Sequence, residues 1–277
     1  MGNLTSSSGP RIPNYKPGKV YLFTFPSVRC CPTISPFALK VESWLRLNGI
    51  EYEAIRSYSH WSKKGQVPFV EVDGREINES SFIIKELAAK FNKLDDLTAE
   101  QQAVSSMVEA MVDNHLVWSY SHYRMLGPEA PVFFEMWEGM GAVKRAIASR
   151  TIPRNYRSRL EGHGIGRNTV EEIHAMGCDD IRALSGLLGD KQFLMGGEAP
   201  TAVDCAVFSH LAQIWYSPLK PPHKAVMETE AKNLGPYLDR LKSIIWPDWE
   251  EFCAANVQGS EKLPTEDNKE ASSDQQE

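Results

Sequence analysis

The run from Gln66 to Leu87, QVPFVEVDGREINESSFIIKEL, decides the fold. Pro68 cannot donate a ladder hydrogen bond, so it sits badly inside a central strand. Yet Phe69, Val70 and Val72 directly after it read as a buried strand. A cis Val67–Pro68 bond at the strand entrance reconciles the two, because cis peptides are nearly always X-Pro and occur in tight turns. Such a bend leaves the N–H and C=O of Val67 unpaired and facing outward. Asp73-Gly74 is a two-residue hairpin signal with Arg75-Glu76-Ile77 as the returning strand. Glu79-Ser80-Ser81 then opens a helix through Phe82, Ile83, Ile84 and Leu87. Serines at a helix start satisfy orphan N–H groups, and a helix N-terminus attracts anions. The stretch describes a surface that holds a small peptide-like ligand by its backbone and its charged end; the plainer reading is a hairpin and an ordinary capped helix.

Upstream, Val20 to Phe25 reads as a buried strand, followed by a loop with Arg29-Cys30-Cys31-Pro32. Ser35-Pro36 starts a helix, with serine as N-cap and proline at the first helical position. It carries Phe37, Leu39, Val41, Trp44, Leu45 and Leu47 and stops at Asn48-Gly49. Glu51 to Ile55 is a second strand. Residues 19–93 therefore run strand, helix, strand, hairpin, helix, a small α/β domain. Residues 98–255 show helical patterns and no convincing strand. Thr98 with Gln101 makes a capping box opening a helix to about Leu126; Thr169 with Glu172 opens another. Thr201-Ala-Val-Asp204 has the same logic, and the nearly all-apolar helix after it reads as the centre of an α bundle. A last helical region spans about Lys224 to Phe252.

Composition is that of a globular protein, 42% apolar and 24% charged. No apolar run reaches the ~18 residues of a membrane span, and no secretory h-region is present. The formal charge is −6, of which the stretch from Glu261 to Glu277 supplies −4 through six acids and two lysines. The body is close to neutral and lacks a basic stripe, which argues against nucleic acid as a general partner. Residues 1–18 and 256–277 read as disordered, the latter acidic. The opening Met-Gly-Asn-Leu-Thr-Ser fits N-myristoylation with Gly2 as acceptor; one acyl chain implies reversible, peripheral membrane contact. Five cysteines, an odd count with Cys205 inside an apolar helix, point to a reducing, cytoplasmic setting.

These residues together resemble the glutathione transferase superfamily, which implies a thioredoxin-like N-terminal domain followed by a helical bundle of glutathione-transferase type. The carriers are Ser35-Pro36-Phe37 with Lys40-Val41 and Gly49-Ile50-Glu51-Tyr52-Glu53, then Val67-Pro68, Glu79-Ser80 and the box from Phe193 to Asp204. Within it, Arg29-Cys30-Cys31-Pro32, Glu79-Ser80-Ser81-Phe82-Ile83-Ile84 and Gly164-Ile165-Gly166-Arg167-Asn168 resemble the failed axon connections family, related to metaxins and to cadmium-responsive proteins of worms.

The resemblance implies a glutathione site. Ser80 and its helix turn receive the γ-glutamyl carboxylate, Glu79 lies near the amine, and Val67 beside Pro68 pairs with the cysteinyl backbone as an added strand. Ser35 donates to the thiolate, which the helix dipole favours. Cys31 is the competing candidate, since Cys31-Pro32 resembles glutaredoxin openings; a helix led by Cys31 would place Pro36 badly in its first turns. His115, Trp118, Ser119 and His122 fall at i, i+3, i+4 and i+7 on one helix face, which either lines a pocket for a small electrophile or packs the bundle. With no evident third ligand beside His115 and His122, no metal is expected. Arg150, Arg154, Arg157 and Arg159 form a basic cluster whose default is a solvated helix face. Two functions follow: a stress or detoxification transferase conjugating glutathione to electrophiles, or a non-catalytic interaction module in axonal development or membrane-associated signalling. Relatives of this type imply a homodimer.

Overall fold

A computed structural model describes residues 9–255. The N-terminal part runs β1 (Val20–Thr24), α1 (Pro36–Leu47), β2 (Tyr52–Arg56), β3 (Phe69–Val72), β4 (Arg75–Asn78) and α2 (Ser80–Phe91). The four strands lie in the order β2-β1-β3-β4. β1 pairs parallel with β2 and antiparallel with β3, which pairs antiparallel with β4. The cis Val67–Pro68 bond is present, and Asp73 and Gly74 both take positive φ, as a two-residue hairpin turn requires.

Helices make up the rest: α3 (Ala99–Met111), α4 (Val117–Leu126), α5 (Ala130–Glu135), α6 (Ala142–His163), α7 (Val170–Leu188), α8 (Ala202–Trp215), α9 (Pro222–Thr229), α10 (Leu234–Ile245) and α11 (Trp249–Ala255). Both boxes at Thr98 and Thr169 form with their partners Gln101 and Glu172. At the third, the buried Asp204 carboxylate accepts from the N–H and hydroxyl of Thr201, from Leu194 N–H and from the Tyr237 hydroxyl. A buried carboxylate needs such partners, and these tie α8 to the loop before it and to α10. α8 is buried along nearly its whole length and packs on α1, so the two domains meet helix to helix.

The structure differs from the sequence reading in three places. The helix expected from Thr98 to Leu126 is interrupted by a π-helical turn, Val112–Leu116, which shifts the phase of His115 relative to Trp118 and His122. The last helical region divides into α9, α10 and α11, separated where Pro236 and Pro247 fall near helix boundaries. Residues 11–18, read as part of a disordered leader, lie against the sheet. Ile12 is buried, and the N–H groups of Arg11 and Ile12 donate to the buried Glu71 carboxylate at 2.8 and 3.0 Å. Gly2 with the rest of residues 1–8, and the acidic stretch 256–277, lie outside the described residues.

Candidate functional site

Strand register brings the expected glutathione-site residues to one end of the sheet. Phe23 faces Phe69 across β1 and β3, and Phe69 faces Asn78 across β3 and β4. The exit of β1, the entry of β3 and the exit of β4 are therefore neighbours. The loop leading to Ser35 leaves the first, Val67–Pro68 enters the second, and Glu79-Ser80 follows the third.

Each piece has the local form its chemistry needs. Val67 makes no hydrogen bond through its N–H or C=O among the described residues. Glu79 stands at φ 70°, ψ 121°, a conformation that costs a non-glycine residue roughly 1–3 kcal/mol and points to a functional constraint. Its half-exposed side chain reaches Lys64 at 3.5 Å. Ser80 is the first residue of α2 and is buried, and its hydroxyl has no partner among the described residues. Ser35 caps α1, its hydroxyl accepting from Ala38 N–H at 3.2 Å, which leaves its own proton free to donate.

Cys31 sits differently. It is buried in a tight turn, where its N–H and C=O bond to Val28. Its sulfur accepts from Gln213 Nε2 at 3.1 Å. Burial drives its thiol well above the usual range and pushes Cys30 up to about 11, outweighing the pull of Arg124 on both. Neither thiol is a ready thiolate at neutral pH. The cavity beside them, lined by Arg124, Phe133, Met136 and Gln213 among others, measures about 10 Å³, room for about one water.

The residues expected to line a second-substrate pocket face α6 and α7. His115 pairs with Asp180 at 2.6 Å, Trp118 stacks on Tyr156 and lies 4.7 Å from the His163 ring, and His122 bonds to His174 at 3.2 Å. The segment that does approach the Cys30–Ser35 loop is the one after α4: Phe133 and Met136 line its cavity, Trp137 stacks on Tyr58, and Glu138 pairs with Arg29 at 2.7 Å.

A polar network between the domains escaped the sequence reading. Lys40 of α1, almost wholly buried, donates to Ser81 at 3.0 Å, to Glu109 and to Asp113 at 2.7 Å. Asp113 also receives His210 Nε2 at 2.9 Å, and the Tyr120 hydroxyl lies 3.0 Å from His210 Nδ1. Burial lowers the His210 pKa and keeps the ring neutral, so Nε2 carries the proton and Nδ1 accepts from Tyr120. Burial alone would raise the Asp113 carboxyl, but His210 and Lys40 outweigh it and hold it at about 2. The signal was present in the sequence: Lys40 is flanked by Leu39 and Val41, and His210 by Phe208 and Leu211, and a polar group buried among apolar neighbours must find partners. The described residues contain no group of three or more His, Cys, Asp or Glu that could hold a metal, and no helix long and apolar enough to cross a membrane.

A thioredoxin-like sheet domain with a cis-proline edge, docked through α1 onto a helical bundle, is the architecture of glutathione transferases. Residues 36–130 match the glutathione S-transferase N-terminal domain and residues 177–241 the glutathione S-transferase C-terminal domain. Failed axon connections of Drosophila melanogaster is 36% identical over 256 residues, 87% of this chain; the chain spans 61% of that relative's length. The isoprene-epoxide–glutathione S-transferase of Rhodococcus sp. (strain AD45) is 30% identical over 76% of this chain and 92% of its own. Mouse metaxin-1 is 25% identical over 78% and 72%. Among solved structures, a beta-etherase from Sphingobium sp. strain SYK-6 superposes with a TM-score of 0.60 at 18% identity, covering 86% of this chain and 99% of that one. A Ceriporiopsis subvermispora glutathione S-transferase in complex with glutathione gives 0.54 at 16% identity, covering 81% and 97%. The chain belongs to the glutathione transferase superfamily, within its failed axon connections and metaxin-like branch.

Proposed function

We propose that the protein binds glutathione at the end of the sheet where β1, β3 and β4 converge and presents its thiol to a small electrophile. Ser80 and the N-terminus of α2 hold the γ-glutamyl carboxylate, Glu79 meets the amine, and the free backbone of Val67 pairs with the cysteinyl part. The Ser35 hydroxyl donates a hydrogen bond to the sulfur, favouring loss of the thiol proton to solvent and stabilising the thiolate at the head of α1. In conjugation the sulfur forms a bond to the electrophilic carbon, and the leaving group or opened-ring oxygen takes the displaced electron pair. The observation carrying this reading is the strained Glu79 directly ahead of the buried, unpartnered Ser80. Ser35 is favoured over Cys31 because Cys31 is buried, bonded to Gln213 and held as a thiol.

One observation favours a second reading, a non-catalytic glutathione-transferase-like interaction module that keeps the glutathione site. Phe133 and Met136 pack over Cys30 and Cys31, and the cavity they line there measures about 10 Å³.

Titration calorimetry with glutathione, followed by a conjugation assay over epoxides and other electrophiles, separates the two. Wild type should bind, and Ser80→Ala should bind about tenfold more weakly, the size of one lost charge-assisted hydrogen bond. Turnover that falls in Ser35→Ala and survives in Cys31→Ala supports the serine-type transferase. Binding without turnover of any electrophile leaves the module. Absence of binding removes both.

A further inference from the structure

We propose that the outward face of α6 docks onto an anionic lipid bilayer. The inner side of this 22-residue helix is fixed: Ala148, Tyr156 and Leu160 are buried, with Tyr156 stacked on Trp118. The opposite side is a stripe. At 3.6 residues per turn, Val143, Ile147, Arg150, Arg154 and Arg157 project within about 80° of one another along roughly 21 Å of helix. Val143 is 75% exposed and Ile147 57%. Glu161, on the same side, closes the stripe at its C-terminal end.

Carboxylates outnumber cations in this chain, 36 to 30, and three exposed arginines elsewhere are paired: Arg29 with Glu138, Arg75 with Glu86, Arg182 with Glu230. Among the described residues no carboxylate pairs with Arg150, Arg154 or Arg157; Arg150 bonds only to the Ala146 carbonyl within its own helix.

Charge and shape together select the partner. Three guanidinium groups in line match a plane of phosphates, each able to bind bidentately. The exposed valine and isoleucine at one end of the stripe are what an interfacial helix inserts below the headgroups, and they have no use against a nucleic-acid backbone. The flanking chain carries net negative charge, so the attraction is local to this face and disappears as salt screens it.

Cosedimentation of the full chain with vesicles tests the assignment, using the Gly2→Ala form so that acylation plays no part. The chain should sediment with vesicles mixing phosphatidylserine and phosphatidylcholine, not with phosphatidylcholine alone, and less as salt rises. Combining R150Q, R154Q and R157Q should weaken binding roughly a hundredfold, from the usual contribution of a basic residue near an anionic surface. V143S with I147S should weaken it by about tenfold through lost insertion. Both variants alter exposed positions, and circular dichroism checks that they fold. Equal sedimentation with both vesicle types, none with either, or unchanged binding in the arginine variant overturns the proposal. Binding that emerges only after removal of residues 256–277 also overturns it, in favour of the acidic tail as the occupant of this face.

Discussion

Gln213, on the central helix of the bundle, holds Thr33 in the loop that leads to Ser35: its Nε2 donates to the Thr33 carbonyl at 3.0 Å. The same amide reaches the Cys31 sulfur, and its oxygen accepts from Arg124 at 3.0 Å. Arg124 in turn donates to the Ile34 carbonyl at 3.3 Å. Two consecutive carbonyls ahead of Ser35 are thus fixed by the helical domain. Replacing Gln213 by leucine leaves the buried Thr33 carbonyl unpaired and removes an acceptor from a buried arginine. The expected loss is about 2 kcal/mol, the cost of an unsatisfied buried group, read as a lower urea midpoint. If Ser35 serves the thiolate, turnover should fall more than glutathione affinity, because the γ-glutamyl contacts at Ser80 are untouched.

Local rules made the first domain legible. Pro68 before Phe69 and Val70 allowed only a bend at the strand entrance, Asp73-Gly74 only a hairpin, and Ser35-Pro36 a helix start. The three capping boxes did the same for α3, α7 and α8. What escaped is long-range. The π turn at Val112–Leu116 adds no distinctive residue, yet it sends His115 to Asp180. Whether a helix face lines a cleft or a neighbour depends on what packs over it, and α6 and α7 cover Trp118 and His122. Lys40, His210 and Gln213 take partners distant in sequence: Lys40 on Ser81, Glu109 and Asp113, His210 on Asp113 and Tyr120, and Gln213 on Thr33.

Glu79 offers a trade between stability and binding. At φ 70° it occupies a region that glycine enters at little cost. Glu79→Gly should therefore raise the thermal midpoint, with about 1 kcal/mol regained from relieved strain. The same change deletes the carboxylate expected to meet the ligand's amine, so glutathione affinity should fall. Calorimetric melting and glutathione titration on one preparation read both effects. A variant that loses affinity without gaining stability would show that the strain is not where the geometry puts it.

Asp113 sets an acid limit on the domain interface. Its folded-state pKa of about 2 lies below the usual 3.8. The contribution of its pairing with His210 and Lys40 is complete above the usual value and disappears as pH falls toward 2. The shift corresponds to roughly 2 kcal/mol. Asp113→Asn should lower stability at neutral pH by about that amount, more if Lys40 is left poorly paired. It should also flatten the decline in urea midpoint between about pH 4 and pH 2. An unchanged slope would mean that the interface does not depend on this carboxylate.

His223 acts earlier in an acid titration and with the same sign. It is fully buried, its Nε2 lies 2.8 Å from the Ser119 hydroxyl, and its Nδ1 has no partner. Ser119 donates to the Ile173 carbonyl, so its oxygen accepts from His223 Nε2–H and the bare nitrogen is Nδ1. A proton added there would be buried and unpaired. Burial, with His174 adding repulsion, lowers the pKa from 6.5 to about 3. The unfolded chain therefore binds this proton more readily than the native state. Stability should be flat above about pH 6.5 and decline below it, by about 2 kcal/mol at pH 5 from this residue alone. His122 and His174, whose pKa values burial also lowers, add to the same slope. His223→Gln keeps a donor within reach of Ser119 but cannot be protonated. Its urea midpoint should change less than that of wild type between pH 7 and pH 5. Equal slopes in the two proteins would place the acid sensitivity elsewhere.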